Sequence, residues 1–167
     1  NMLEERDPYF YGGEMIRSVT YEDSTWEDLP GKFEAGTPVI AQGIALHAAI
    51  DYLEDIGMRN VQAHEDLLAE YAYDRLSTFD DVEIYGPPGD ERGGLVAFNL
   101  DGVHAHDLSS ILNDHGVAIR AGDHCTQPLH DKLGVPASTR ASFYVYNTRE
   151  EIDALVEAVD DARQLFA

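Results

Sequence analysis

Between Ile40 and Phe79 the chain carries two helix-length apolar patterns with one glycine as punctuation, so any fold must house two long consecutive helices. Apolar residues recur at Ile40, Ile44 and Ala48, and again at Leu46, Ile50 and Leu53. That spacing predicts a well-buried helix over 40–56, ended by Gly57. From about Val61 to Phe79, Val61, Leu67, Leu68, Tyr71, Leu76 and Phe79 mark one apolar face with acids opposite, a second helix. The flanking segments are of another kind. Residues 14–22 are rich in β-branched types after the Gly12-Gly13 turn, and predict a strand. Residues 28–38 hold two prolines and two glycines, and predict a loop. Short strands are expected at 82–86 and 94–100, with turn chemistry at 87–93 between them. An amphipathic helix is expected at 107–115, strands at 117–120 and 141–146, and a closing helix from about Arg149 to Phe166. Thr148 and Glu151 have capping-box spacing at its start. The order predicts a small sheet covered by helices, an α+β layer arrangement.

Charge restricts partners. Of 167 residues, 32 are acidic and 11 basic, for a formal net charge of -21. Phosphate backbones and anionic lipid would be repelled over most of such a surface, so neither nucleic acid nor membrane is an expected partner. No run approaches the roughly 20 apolar residues of a spanning helix. No signal peptide is visible at Asn1–Tyr11, and a cytoplasmic location is expected. The acids are spread along the chain rather than gathered in a tail. This predicts a surface adapted to strong brine, the alternative being an ordinary acidic cytosolic protein. The opening NMLEERDPYF reads as a connector, as if the chain were cut from a longer protein.

Reactive residue types concentrate in RAGDHCTQP, Arg120 to Pro128, which holds the one cysteine, Cys125, with His124 beside it and Arg120 five residues earlier. A loop at a strand end is a common place for active residues. The thiolate is the reactive form of cysteine, and cationic neighbours favour it. Against this stands a buried inert cysteine, for which Asp, His, Thr and Gln are poor company. His104, His106, Asp123 and His130 add ligand types nearby, but the spacing matches no standard zinc site and no metal is expected. Arg140 opens an apolar strand. Its planar fork suits a carboxylate ligand, or a structural ion pair with one of the many acids. Gly36-Thr37-Pro38 leads into the first helix, where it can seat a phosphate or act as an ordinary N-cap.

Taken together, FEAGTP (33–38), AAIDYLEDIG (48–57), YGP (85–87), AFNL (97–100), RAGDHCTQP (120–128) and RASFYVYNTREEID (140–153) resemble the C-terminal part of SUF-type, or group II, cysteine desulfurases, of the class V aminotransferase family. The resemblance runs from about Leu3 to Phe166. It implies the pyridoxal-phosphate (PLP) aspartate-aminotransferase fold, fold type I, hence an α/β protein whose α+β small domain is seen here. Residues 1–40 would end the large cofactor-binding domain, and 41–167 would form the small domain with the cysteine loop. The resemblance implies that Cys125 takes sulfur from L-cysteine as a persulfide, giving L-alanine, for iron–sulfur cluster assembly. It gives Arg140, Arg120 and His124 to the substrate side. It gives Thr37 and Gly36 to the PLP phosphate of the other subunit of a homodimer, with Gly12 and Gly13 near that interface. A sulfur-acceptor or scaffold protein would be a further partner. Asp123 departs from the family pattern, where a second histidine is frequent, and would raise the Cys125 pKa if close. The family's Schiff-base lysine has no counterpart here, since neither Lys32 nor Lys132 lies in its motif, so the segment alone is not expected to turn over. A selenocysteine lyase of the same family, and a non-enzymatic sulfur-relay or interaction domain, are the alternative readings.

Overall fold

The computed structural model describes residues 2–88 and 91–166. Its contacts divide the chain after Tyr52 into two compact units. The first opens on a short helix, α1 (Met2–Glu5), where a plain connector was expected. A two-stranded antiparallel ribbon follows, β1 (Ile16–Val19) with β2 (Ser24–Trp26). The expected strand at 14–22 is thus shorter and turns back on itself, because the Thr20 hydroxyl accepts the amides of Glu22 and Asp23. Thr20 also donates to the Asp23 carbonyl, and an ST-type turn closes the hairpin. The loop at 28–38 contains one 3-10 turn, Gly31–Phe33.

Helix α2 (Ile40–Ile56) straddles the division, with the bounds its periodicity predicts. It is not well buried. None of its residues is buried among those described, and Ile44 is 69% exposed. Its apolar residues lie on several sides, so it needs neighbours on several sides, and the described elements do not supply them. Gly57 then takes φ 86, a conformation an L side chain resists, and lets α3 (Met58–Leu76) begin at once.

The second unit is a four-stranded antiparallel sheet in the order β3 (Val82–Tyr85), β4 (Leu95–Leu100), β6 (Ser138–Ser142), β5 (Arg120–Gly122). Three helices complete it: α4 (Ala105–Asp114), α5 (Gln127–Leu133) and α6 (Arg149–Phe166). Alternation along the strands divides the sheet into two faces. Val96, Phe98 and Leu100 of β4 and Ala141 of β6 point into a core with Leu68, Ala72 and Leu76 of α3, Leu108 and Leu112 of α4, and Ile152, Leu155 and Val159 of α6. Each fully buried large apolar side chain contributes roughly 1.5–3 kcal/mol. The opposite face carries the polar partners in register: Tyr85 by Ala97, Glu83 by Asn99, Ala97 by Arg140, and Arg140 by Arg120. Helices α3, α4 and α6 therefore cover one face, and the chemistry lies on the other, where α5 packs His130 against Ser138.

Two expected strands are displaced. The apolar run after Arg140 stops pairing at Ser142, because the Asn147 carboxamide accepts the Tyr144 amide and makes 144–147 a turn. Ladder pairing instead reaches back to Ser138, whose polarity hid it. Likewise Val117 and Ile119 pack on the core without a ladder partner, and β5 starts at Arg120. The Val117 amide is spent on the Leu112 carbonyl, closing α4. The capping box is present: Thr148 N–H donates to Glu151 Oε2 at 3.0 Å, and Glu151 N–H to Thr148 Oγ1 at 3.4 Å. Of the turn expected at 87–93, residues 89 and 90 lie outside those described. Its far end is tied by Arg92, which donates through Nε to the Pro87 carbonyl at 2.8 Å and lies over the Tyr73 ring.

Candidate active site

Strand β5 delivers the cysteine loop. Gly122, with φ 132, lets the chain leave the sheet edge, and Asp123 then organises a tight turn. Its carbonyl accepts the Thr126 amide at 2.8 Å and the Thr126 hydroxyl at 2.7 Å. Its Oδ1 accepts the Cys125 amide at 2.9 Å. That amide bond, the Gln127 side chain and the nearby imidazoles hold the Asp123 carboxyl below the usual carboxylate range. The carboxylate that replaces a histidine of the family pattern is therefore a fastener of the loop. Inside the turn His124 and Cys125 both take left-handed backbone angles, φ 53 and 61. Each costs a non-glycine residue roughly 1–2 kcal/mol. The result is an exposed Cys125. Arg120 Nη2 donates to its sulfur at 3.9 Å. The inert, buried alternative for Cys125 does not hold.

Arg140 and Arg120 stand directly opposite each other on β6 and β5. Like charges in that relation repel. Neither makes an ion pair with a carboxylate among the described residues, and the buried Nε–H of Arg140 has no hydrogen-bond partner there. The structural ion pair offered for Arg140 by so acidic a sequence is not formed. Two arginines paired across one rung, one of them at the thiol and neither ion-paired to a carboxylate among the described residues, can make a seat for an anion.

His124 turns the other way along the same face. Its Nε2 lies 3.1 Å from the Ser138 hydroxyl, and the buried His130 meets that hydroxyl from the other side at 3.0 Å. Ser138 precedes Arg140 by two residues on β6, so both share the face opposite the core, with Ser138 itself buried beneath His130. Burial, with the positive charge of Arg140, pushes the His124 imidazole below its ordinary range. Sequence reasoning missed Ser138 and treated His130 only as a possible ligand type. The signal available was their position, two residues before Arg140 and at the buried end of α5. Among the described residues no group of three or more His, Cys, Asp or Glu is placed to hold a metal ion. Nor is any helix there long and apolar enough to cross a membrane.

Gly36 and Thr37 lie in the first unit, whereas Cys125, Arg120, His124 and Arg140 are gathered in the second. The Gly36 amide donates to the Gly13 carbonyl at 2.8 Å, and a Cβ on Gly12 would stand 3.4 Å from that amide nitrogen. The two glycine segments thus brace each other. Thr37 is exposed at the edge of a cavity of about 660 Å³ lined by Phe10, Phe33, Gly36 and Val39 among others. Gly36 has φ 85, and a Cβ added there would meet nothing within 4 Å. An exposed hydroxyl beside so open a glycine suits a phosphate oxygen. Lys32 is occupied otherwise, its ammonium donating to the Glu4 carbonyl at 3.0 Å. These residues fit the phosphate end of a PLP site and do not provide its imine lysine.

The antiparallel sheet, with its core on one face and a strand-edge thiol loop and arginine pair on the other, superposes on solved cysteine desulfurases, α/β proteins of the PLP-dependent fold type I. The aminotransferase class-V family model matches residues 1–155, and the chain belongs to that family. It is 80% identical over all 167 residues to a cysteine desulfurase of Haloferax volcanii, of which it covers 39%. To a probable cysteine desulfurase of Halobacterium salinarum it is 72% identical over the same length, 40% of that protein. The chain thus spans about two fifths of the length of the curated relatives it matches. Among solved structures, the cysteine desulfurase CsdA of Escherichia coli, in its S-sulfonic acid form, superposes with a TM-score of 0.87 at 38% identity, over 95% of this chain and 39% of that one. The apo cysteine desulfurase of Thermococcus onnurineus gives 0.85 at 36% identity, over 93% and 39%.

Proposed function

We propose that this chain is the thiol-bearing and carboxylate-binding portion of a PLP-dependent cysteine desulfurase that transfers sulfur from L-cysteine to Cys125 and releases L-alanine. The observation that carries this reading is the exposed Cys125 sulfur beside an arginine pair that has no carboxylate of its own. Arg140 and Arg120 would hold the substrate carboxylate, which brings the substrate sulfur within reach of the loop. The Cys125 thiolate then attacks that sulfur. An S–S bond forms as the Cβ–S bond breaks, the carbon keeps the electron pair and takes a proton, and Cys125 is left as a persulfide. PLP, when bound, supplies the electron withdrawal that makes the Cβ–S bond breakable. Thr37 and Gly36 would hold its phosphate, across a homodimer interface as the family resemblance implies. Residues 1–40 would close the large domain and 41–167 form the small one. The cytoplasmic SUF pathway of iron–sulfur assembly, with its acceptor or scaffold protein, is the proposed setting.

The test uses the complete gene product loaded with PLP. Cys125→Ala should abolish persulfide formation and sulfide release from L-cysteine. Arg140→Ala should raise KM by one to two orders of magnitude, since a charge-assisted bidentate contact is worth about 2–3 kcal/mol. Undiminished sulfide release by Cys125→Ala would overturn the proposal.

A further inference from the structure

The chain of hydrogen bonds from His124 through Ser138 to His130 has no part in the transfer step above, yet it is buried, polar and complete except at one atom. Donor and acceptor bookkeeping assigns each of its protons. Thr126 Oγ1 donates to the Asp123 carbonyl at 2.7 Å, and the Thr126 carbonyl can only accept. These are the two groups that face His130 Nδ1, at 3.4 and 3.3 Å, so Nδ1 carries a proton. His130 is 4% exposed and its nitrogens face only Thr126 and the Ser138 hydroxyl, so the tautomer that fits these partners is Nδ1–H, which leaves Nε2 a lone pair. The one proton of the Ser138 hydroxyl then goes to His130 Nε2 at 3.0 Å. Its oxygen is left to accept from His124 Nε2–H at 3.1 Å. With Nε2 protonated, the other nitrogen of a neutral His124 is bare. That atom, Nδ1, is buried and has no partner among the described residues. A bare Nδ1 on His124 agrees with its surroundings: burial, Arg140 on β6 and Arg120 on β5 oppose a positive charge, which the Ser138 backbone favours, and the Asp123 carboxylate before it is turned onto the Cys125 amide.

The chain ends on a backbone carbonyl, which cannot take up a proton, so it is no conduit. It is a lock. We propose that Ser138 and His130 are positioning residues that hold His124 in its Nε2-protonated tautomer, so that Nδ1 accepts a hydrogen bond from the donor group of a small α-amino acid whose carboxylate is held by Arg140. Two buried atoms in this group of residues lack partners, a donor on Arg140 Nε and an acceptor on His124 Nδ1. A zwitterionic amino acid carries the complement of both: oxygens that accept and N–H groups that donate. The assignment of the ligand rests on the reading of this face as an amino-acid site. The assignment of the tautomer does not.

The experiment therefore has two arms on the complete, PLP-loaded protein. In the first, ring-15N histidine labelling reads the protonation of each His124 nitrogen at neutral pH, with His124→Gln identifying the signals. Wild type should show one protonated nitrogen, Nε2, and one bare nitrogen, Nδ1. Ser138→Ala should move both toward averaged positions, and Ser138→Thr, which keeps the hydroxyl, should restore the wild-type pattern. A wild-type His124 that is averaged, or protonated at Nδ1, overturns the lock. In the second arm, kcat/KM for L-cysteine should fall about tenfold in Ser138→Ala, the size of one lost hydrogen bond, and stay within about twofold of wild type in Ser138→Thr. His130→Gln unties the lock from its other end and serves if Ser138→Ala folds poorly by circular dichroism. Equal kcat/KM in Ser138→Ala and wild type across the pH range overturns the role in binding. Sulfide release retained in Cys125→Ala overturns the role given to the thiol in the proposed function, and the first arm still decides the tautomer.

Discussion

The fold disfavours protonation of His124, and the sign of that effect can be followed into stability. Its folded pKa lies below the ordinary value of 6.5, so between the two the unfolded chain binds a proton that the folded chain does not. Stability from this group is complete above 6.5 and is lost as pH falls through the folded value. Asp123 and Glu151 are also depressed, but theirs is lost only as pH drops below about 4, through their folded pKa values. His115 has the opposite sign. It is raised by the Ile111 carbonyl, with Asp161 adding to it, and contributes below 6.5. The comparison that isolates His124 is therefore urea midpoint against pH for His124→Gln and wild type. The wild type should lose midpoint relative to the variant as pH falls below 6.5, and parallel curves would contradict the burial argument. At this scale the sequence was informative where chemistry is concentrated. Cys125, Arg120, His124 and Arg140, which the structure gathers in one unit, were legible as candidates because reactive types crowd one loop and one strand. Ser138 was not, since a lone serine has no signature until the register sets it two residues from Arg140.

At the scale of elements, ends were legible where side chains make them. Thr148 and Glu151 announce the start of α6 and form the reciprocal bonds their spacing predicts. Asn147 strengthens the arrangement by donating to Glu151 Oε2 at 2.9 Å. Thr148→Ala should cost about 1 kcal/mol, a loss readable as a lowered urea midpoint with unchanged slope. Strand ends were less legible. The apolar run Phe143–Tyr146 has every mark of a strand, and one carboxamide at Asn147 turns it away. β6 lies earlier, over Ser138 and Thr139, because pairing with β4 and β5 outweighs composition. Helix α2 shows the complementary limit: periodicity fixes its span, while its burial depends on surfaces that its own sequence does not specify.

For the whole molecule, charge dominates. Net charge of -21 on 18.5 kDa means that most acids have no cation to answer them, and compaction works against their mutual repulsion. Raising salt from about 0.1 M to about 1 M shortens the Debye length from about 10 Å to about 3 Å. We expect the unfolding temperature to rise by several degrees over that range of KCl. A flat response would place the protein with ordinary acidic cytosolic ones. The layered fold was legible from element order alone, since long amphipathic helices and short strands can bury their apolar sides together in few ways. Which side of the sheet carries Arg120, Ser138 and Arg140 was not, because it depends on the register between β4, β5 and β6.

The pairing of Arg120 with Arg140 across one rung has a mechanical consequence. Like charges on paired positions work against the edge strand, and a bound anion would turn that repulsion into a clasp. Substrate would then act as a temporary rivet: the strand that delivers the thiol is held most firmly only while there is something for the thiol to attack.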